Sequence, residues 1–158
     1  MERSRKPKDF PAVERFVRRA KKEGKRIVTT NGIFDILHIG HVQSLEAAKA
    51  LGDVLIVGVN SDASTRALKG KDRPIVPARE RLMLVASLEP VDATFVFNET
   101  DPRKWLARLK PQIHVKGGDR RMEEIVERKV VERGGGRVVL LPLRRGRSTT
   151  RLVEKIRK

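Results

Sequence analysis

The run Val54-Leu55-Ile56-Val57-Gly58-Val59-Asn60 constrains the fold more than any other stretch of this chain. It has no polar residue at alternate positions, so a strand built from it is covered on both faces. That is the pattern of a central strand in a parallel sheet. Parallel neighbours cannot be joined by tight hairpins and need crossover segments, usually helices.

The rest of the sequence supplies such segments. A basic helix is expected over 11–23, stopping at Gly24, followed by a β-branched strand over 26–30. The next helix, over 40–51, carries Val42, Leu45, Ala48 and Leu51 on one stripe and ends at Gly52. Beyond the central strand, a short helix leads to Leu68-Lys69-Gly70 and a loop marked by Pro74 and Pro77. Pro77 starts a helix with Leu82, Val85, Ala86 and Glu89 at helical spacing. Further strands are expected over 93–97, 112–115 and 138–141. Asp101-Pro102 opens a short helix containing Trp105. Met122, Ile125, Val126 and Val130 form the buried stripe of another helix, which ends at Gly134-Gly135-Gly136. Ser148 caps a last helix with Leu152, Val153 and Ile156 inward.

Strands alternating with helices imply a single α/β domain, a doubly wound five-stranded parallel sheet. Residues 1–8 are expected to be a flexible basic tail, 9–24 an N-terminal helix and 25–158 the core. Ligands in such sheets bind beyond the carboxyl ends of the strands, where strand order reverses. The residues with chemistry follow strands one, two, four and five.

After strand one comes Thr30-Asn31-Gly32-Ile33-Phe34-Asp35-Ile36-Leu37-His38-Ile39-Gly40-His41. Asn31-Gly32 is expected to turn the chain. His38 and His41 stand three apart where an amphipathic helix begins, so both can face one ligand near exposed backbone N–H groups. Metal ligation is the rival reading. No glutamate stands beside the first histidine, the spacing is not that of a zincin, and the chain has no cysteine. No metal-ligand set is expected, and the pair is read as contacting phosphate. His114, within a strand, is read as an ordinary half-buried residue.

Ser61-Asp62 follows strand two, and then come Lys69, Lys71, Arg73, Arg79 and Arg81. Gly70 and Pro74 bend this loop, which can fold over the strand ends and carry Lys69 to a phosphate. A cation at Arg81, in the first turn of its helix, opposes the helix dipole unless an anion lies nearby. After strand four, Lys116-Gly117-Gly118-Asp119 offers a backbone that a ligand can approach closely. Asp119 there either accepts from a ribose hydroxyl or a base amine, or caps the helix that follows. Gly146-Arg147-Ser148-Thr149-Thr150 places donors in the first turn of a helix, which suits an anion and also suits capping alone.

A net charge of +16 raises the question of nucleic acid, and its distribution answers it. Residues 1–26 hold 11 Lys and Arg against 4 Asp and Glu, residues 27–102 hold 7 against 10, and residues 103–158 hold 18 against 6. The excess lies at the two ends, while the histidine segment sits in a mildly acidic middle. With 4% aromatic residues, no tyrosine and no recognisable binding motif, a nucleic-acid-binding module is the weaker alternative. No window reaches 18 apolar residues and the N-terminus does not read as a signal peptide, so no membrane association and a cytoplasmic protein are expected.

These residues together resemble the cytidylyltransferase-like nucleotidyltransferases. The resemblance runs from Ile27 to Ile156 and is carried by Thr30-Asn31-Gly32, by Phe34 to His38 and by Gly40-His41. Val59-Asn60-Ser61-Asp62, Leu68-Lys69-Gly70, Val115 to Asp119 and Arg147 to Thr150 extend it. Within that group the chain is most similar to the adenylyltransferase of ADP-heptose synthesis. Ile33 stands where the family commonly has cysteine, Arg120 where it has tyrosine, and Glu127 where it has glycine.

The resemblance implies a Rossmann-like fold and transfer of AMP from ATP to heptose 1-phosphate, with pyrophosphate released. Magnesium is expected to be held mainly through the nucleotide phosphates. A CTP- or ATP-using relative acting on a polyol phosphate or FMN is the alternative. His38, His41, Lys69 and Arg81 are the expected catalytic residues. Asn31, Gly32, Ile33, Phe34, Lys116, Gly117, Gly118, Asp119, Ser148, Thr149 and Thr150 are expected to bind nucleotide, and Asp35, Lys71 and Arg120 the acceptor. A homodimer and a separate sugar kinase acting upstream complete the expectation.

Overall fold

In the computed structural model, residues 6–142 and 148–158 are described. The Gly146-Arg147 part of the last motif therefore lies outside the described residues, as do residues 1–5 of the expected tail. The rest of that segment is tied down: Thr94 N donates to Pro7 O at 3.0 Å, and Lys6 Nζ to Leu88 O at 2.8 Å.

Five parallel strands, β1 (Ile27–Gly32), β2 (Val54–Asn60), β3 (Ala93–Phe97), β4 (Ile113–Gly117) and β5 (Arg137–Leu141), form one sheet in the order β3-β2-β1-β4-β5. All seven residues of β2 are buried, as a strand apolar on both faces requires. Alternation along the strands sorts side chains to two cores. Ile27, Ile56 and Phe95 face α1 (Phe10–Lys22) and α5 (Arg103–Leu109), where Val13, Val17, Trp105 and Leu106 meet them. Val28, Leu55, Val57 and Val115 face the other side, where α2 (Ile39–Lys49) and α4 (Ala78–Ala86) supply Leu45, Ala48 and Val85. The expected doubly wound Rossmann-like α/β fold is the one observed.

Three elements differ from expectation. β1 runs on through Asn31 and Gly32, which pair with Gly58 and Val59 of β2, so Asn31-Gly32 is strand end rather than turn. The expected helix containing Met122 and Val130 is broken. A 3₁₀ turn over Met122–Glu124 precedes α6 (Arg128–Arg133), Ile125 is extended, and Val126 is 57% exposed. Ile125 is buried as expected and Met122 and Val130 pack against the core, but Glu127 and Val131 are buried where Val126 was expected, because the shift from 3₁₀ to α rotates the face presented to the sheet. In α7 (Thr149–Ile156) no residue is buried, and Ile156 is exposed rather than inward.

The sheet order reverses between β1 and β4. Their ladder holds only Val28↔Ile113 and Thr29↔His114, against six register pairs between β1 and β2. Beyond Thr29 the backbone ladder ends and only Thr30 Oγ1, donating to Val115 O at 3.0 Å, still ties the strands before the crevice.

Candidate active site

A cavity of about 690 Å³ lies beyond the carboxyl ends of β1, β2 and β4. Its walls bring together Asn31, Gly32, Ile33, Phe34, Asp35, His38 and His41 after β1, and Lys69 and Arg73 after β2. Lys116, Gly117, Gly118 and Arg120 come from the end of β4, and Ser148, Thr149 and Thr150 from the start of α7. Motifs more than 100 residues apart in sequence thus share one volume, as the switch-point rule expects.

The two histidines are locked to each other. His38 is the N-cap of α2, and its Nδ1 accepts from Gly40 N at 3.1 Å. His41 Nδ1 accepts from His38 N at 3.2 Å, closing a capping box, and the ring centroids are 3.9 Å apart. An acceptor at Nδ1 of a neutral imidazole places the proton on Nε2. Each ring therefore offers an Nε2–H donor. Burial, and then the charge of His38, pushes the His41 imidazolium down to about 4. At neutral pH His41 is a neutral donor.

The chain between them and β1 is a rigid cradle. Phe34 has φ +53°, a left-handed backbone that costs a phenylalanine on the order of 1 kcal/mol. Arg81 compensates. It is fully buried, and its Nη1 donates to Ile33 O and Asn60 O at 2.7 Å, its Nε to Val76 O at 2.8 Å and its Nη2 to Asp62 Oδ1 at 2.8 Å. The anion beside Arg81 is thus the Asp62 carboxylate of the protein itself, where a bound phosphate was expected. Its guanidinium is spent on the backbone of the β1 loop, and it is not on the cavity wall.

Asp35 is corrected in the same way. It is 2% exposed and accepts from Ile75 N and Val76 N at 2.9 Å and from Arg73 Nε at 2.6 Å. Against the opposing effect of burial, those three donors pull its carboxyl below the usual range. Although it touches the cavity, its carboxylate is engaged in pinning the loop after α3 (Asp62–Lys69) across the strand ends. That brings Lys69 and Arg73 to the cavity, as expected for Lys69, whereas Lys71 is exposed and not in the wall.

On the far side, Gly118 packs so closely that a Cβ there would lie 2.3 Å from Leu141 O. Asp119 is exposed, absent from the wall, and does not cap the 3₁₀ turn, whose cap position is Arg121. The capping reading of Asp119 is thus not realised. Ser148 caps α7 by accepting from Arg151 N at 3.2 Å, and Thr149 Oγ1 donates to Ile36 O at 3.2 Å, docking the helix start against the histidine loop.

Residues passed over in the sequence also line the cavity: Arg73, Thr100, Asp101 and Glu127. Two of them carried a signal: Arg73 as one cation among several on a bent loop, and Glu127 as a departure from the glycine of the family it resembles. His114 is not half-buried but fully enclosed, with Nδ1 2.8 Å from Thr29 Oγ1. Among the described residues no three of His, Asp and Glu converge as a metal-binding group. Nor is any described helix long and apolar enough to cross a membrane.

Comparison with known proteins agrees with this geometry. Residues 29–155 match the family model described as cytidylyltransferase-like. Bifunctional protein HldE of Geotalea uraniireducens is 47% identical over 96% of this chain, and that of a Nitratiruptor species is 51% identical over 95%. The chain spans 31% and 32% of the lengths of those two relatives. A crystal structure of the lipopolysaccharide core biosynthesis protein from Thermoplasma volcanium superposes with TM-score 0.64 at 34% identity, covering 78% of this chain and 100% of that one.

Proposed function

The chain belongs to the cytidylyltransferase-like family of nucleotidyltransferases, and from that premise we propose that it transfers AMP from ATP to heptose 1-phosphate. Pyrophosphate leaves and ADP-heptose forms. One observation carries the reading: His38, His41, Lys69, Lys116 and the hydroxyl-rich start of α7 converge on a single cavity at the strand-order reversal. The choice of a heptose acceptor rests on similarity to HldE and to the lipopolysaccharide core protein.

The reaction is a direct in-line attack by an acceptor phosphate oxygen on the α-phosphorus of ATP. The O–P bond forms as the bond to the β-phosphate oxygen breaks, and both electrons of that bond depart with pyrophosphate. No group on the protein needs to be a covalent nucleophile. Its task is to hold two anions in line and to stabilise charge as it develops.

The backbone of Ile33 and Phe34, fixed by Arg81, meets the α-phosphate. The Nε2–H donors of His38 and His41 meet the phosphate oxygens that gain charge, in a half-enclosed site where such bonds are strong. Lys69 on its pinned loop bridges the two anions. Ser148, Thr149 and Thr150 receive the β- and γ-phosphates at a helix start. Lys116 to Gly118 face the nucleoside, and Arg120 the acceptor. Magnesium, where bound, would be held mainly through the oxygens of the nucleotide phosphates, the hard ligands that suit it, and would neutralise their charge. The protein is proposed to work in the cytoplasm, downstream of a sugar kinase, and as a homodimer.

The test is pyrophosphate release with ATP and heptose 1-phosphate, beside CTP and a panel of polyol phosphates, other sugar 1-phosphates and FMN. Turnover greatest with the first pair is expected. Turnover only with CTP or only with a different acceptor replaces the substrate assignment, and no turnover with any pair overturns the reading.

A further inference from the structure

Glu127 is 1% exposed, yet it lies on the cavity wall. A carboxylate taken out of water this far is costly unless something else needs its charge. It immediately precedes α6 but makes no side-chain hydrogen bond to cap it. Its Oε1 is instead 2.7 Å from Lys116 Nζ and 3.4 Å from His114 Nε2. His114 Nδ1 in turn meets Thr29 Oγ1 at 2.8 Å. Lys116, itself on the wall, reaches across from β4 to β1, with Nζ 3.4 Å from Asn31 Oδ1. That contact sits just beyond the last ladder pair between the strands.

We propose that Glu127 is a positioning residue for nucleotidyl transfer. It fixes the Lys116 ammonium at the mouth of the β1–β4 crevice, where Lys116 contacts the incoming nucleotide. The inference rests on the reading given above and assigns a role to a side chain outside that mechanism. The paired charges add no net charge to the cavity wall. What Glu127 supplies is position, since an ammonium on a flexible stem stays where its counter-charge holds it.

The charged and titratable groups facing Glu127 are Lys116 and His114 from β4, with Asp101 and Arg103 from the start of α5. With glutamine at 127, Lys116 is left desolvated beside a neutral imidazole and Asn31, and its protonated form loses its counter-charge.

The test measures KM for ATP and ATP binding without acceptor in wild type, Glu127→Gln, Glu127→Asp, Lys116→Met and the Lys116→Met/Glu127→Gln double variant. Thermal melts accompany each. Glu127→Gln should raise KM for ATP about tenfold while kcat changes far less. Glu127→Asp should restore most of the affinity. In the Lys116→Met background the glutamine should add no more than about twofold, because its effect runs through the absent ammonium.

A KM for ATP within twofold of wild type in Glu127→Gln, or a full tenfold loss in the Lys116→Met background, overturns the proposal. So does a Glu127→Gln protein that cannot fold, since the carboxylate is then kept for the scaffold. Wild type that binds and turns over no nucleotide sinks the nucleotidyl-transfer reading instead, which separates the two failures.

Discussion

Arg81 Nη1 donates to the carbonyl of Ile33 at 2.7 Å, from a guanidinium with no exposed surface. Through this bond a helix more than 40 residues downstream sets the path of the loop after β1. The same side chain holds Asn60 O at the end of β2 and Val76 O in the pinned loop, so three segments of the cavity share one clamp.

Replacing Arg81 by methionine should therefore damage stability and activity together. Breaking a buried, fully bonded charged group costs about 3 kcal/mol or more, which for a chain of this size lowers Tm on the order of 10 °C. Thermal melts and pyrophosphate release on the same preparations check this. Loss of turnover with an unchanged Tm would instead make Arg81 a direct phosphate ligand.

His38 and His41 predict the opposite partition. Alanine at either position should reduce kcat by about 10²–10³, the usual cost of one donor aimed at transition-state charge. Stability should fall only by about 1 kcal/mol, mostly from the capping box. Steady-state kinetics on folded variants decide it, and near-normal turnover in either one rejects the proposed role of the pair.

Acid should weaken the fold in two stages. His41 and His114 both hold their imidazolium forms below the ordinary value, chiefly through burial. The unfolded chain then binds protons that the folded one refuses, so stability falls as pH drops from about 6.5 toward about 4. Against the opposing effect of burial, His114 and Lys116 hold Glu127 down at about 2. Its contribution is present above the ordinary glutamate range and is lost as pH falls from about 4.5 toward about 2. Denaturant midpoints across pH should show both stages, and His41→Asn should shrink the first and spare the second.

The adjacent glycines of the β4 turn should behave differently. A Cβ on Gly118 would lie 2.3 Å from Leu141 O, a backbone atom that cannot step aside without moving β5. One on Gly117 would meet only Asp119 Oδ1, at 3.2 Å, the end of an exposed side chain. Gly118→Ala should cost about 1–3 kcal/mol and Gly117→Ala less than about 0.5 kcal/mol, measured by chemical denaturation. Equal costs would contradict the packing described.

The strands were readable because β2 and its neighbours are apolar at consecutive positions, a pattern water does not tolerate. The grouping of the histidines, Lys69, Lys116 and Ser148 to Thr150 followed from placing each after a strand. What escaped were contacts made across the chain. Asn31-Gly32 carries turn chemistry, but pairing with Gly58 and Val59 overrides it. Arg81 looked like a helix-start cation awaiting a bound anion, and its partners are the carbonyls at positions 33, 60 and 76 and the carboxylate of Asp62. Val126 kept helical spacing with Ile125 and Val130, yet the buried side chain there is Glu127, whose partners lie on β4. Periodicity reports which residues avoid water; it is silent about a polar group that finds its partner far away.

With only two register pairs, the line between β1 and β4 is the thinnest seam in the sheet. A nucleotide bridging Asn31 and Lys116 would act as an added rung, joining the β3-β2-β1 half to the β4-β5 half. Ligand occupancy would then be felt as mechanical cohesion, and amide exchange at the tips of both strands would slow in concert when the site fills.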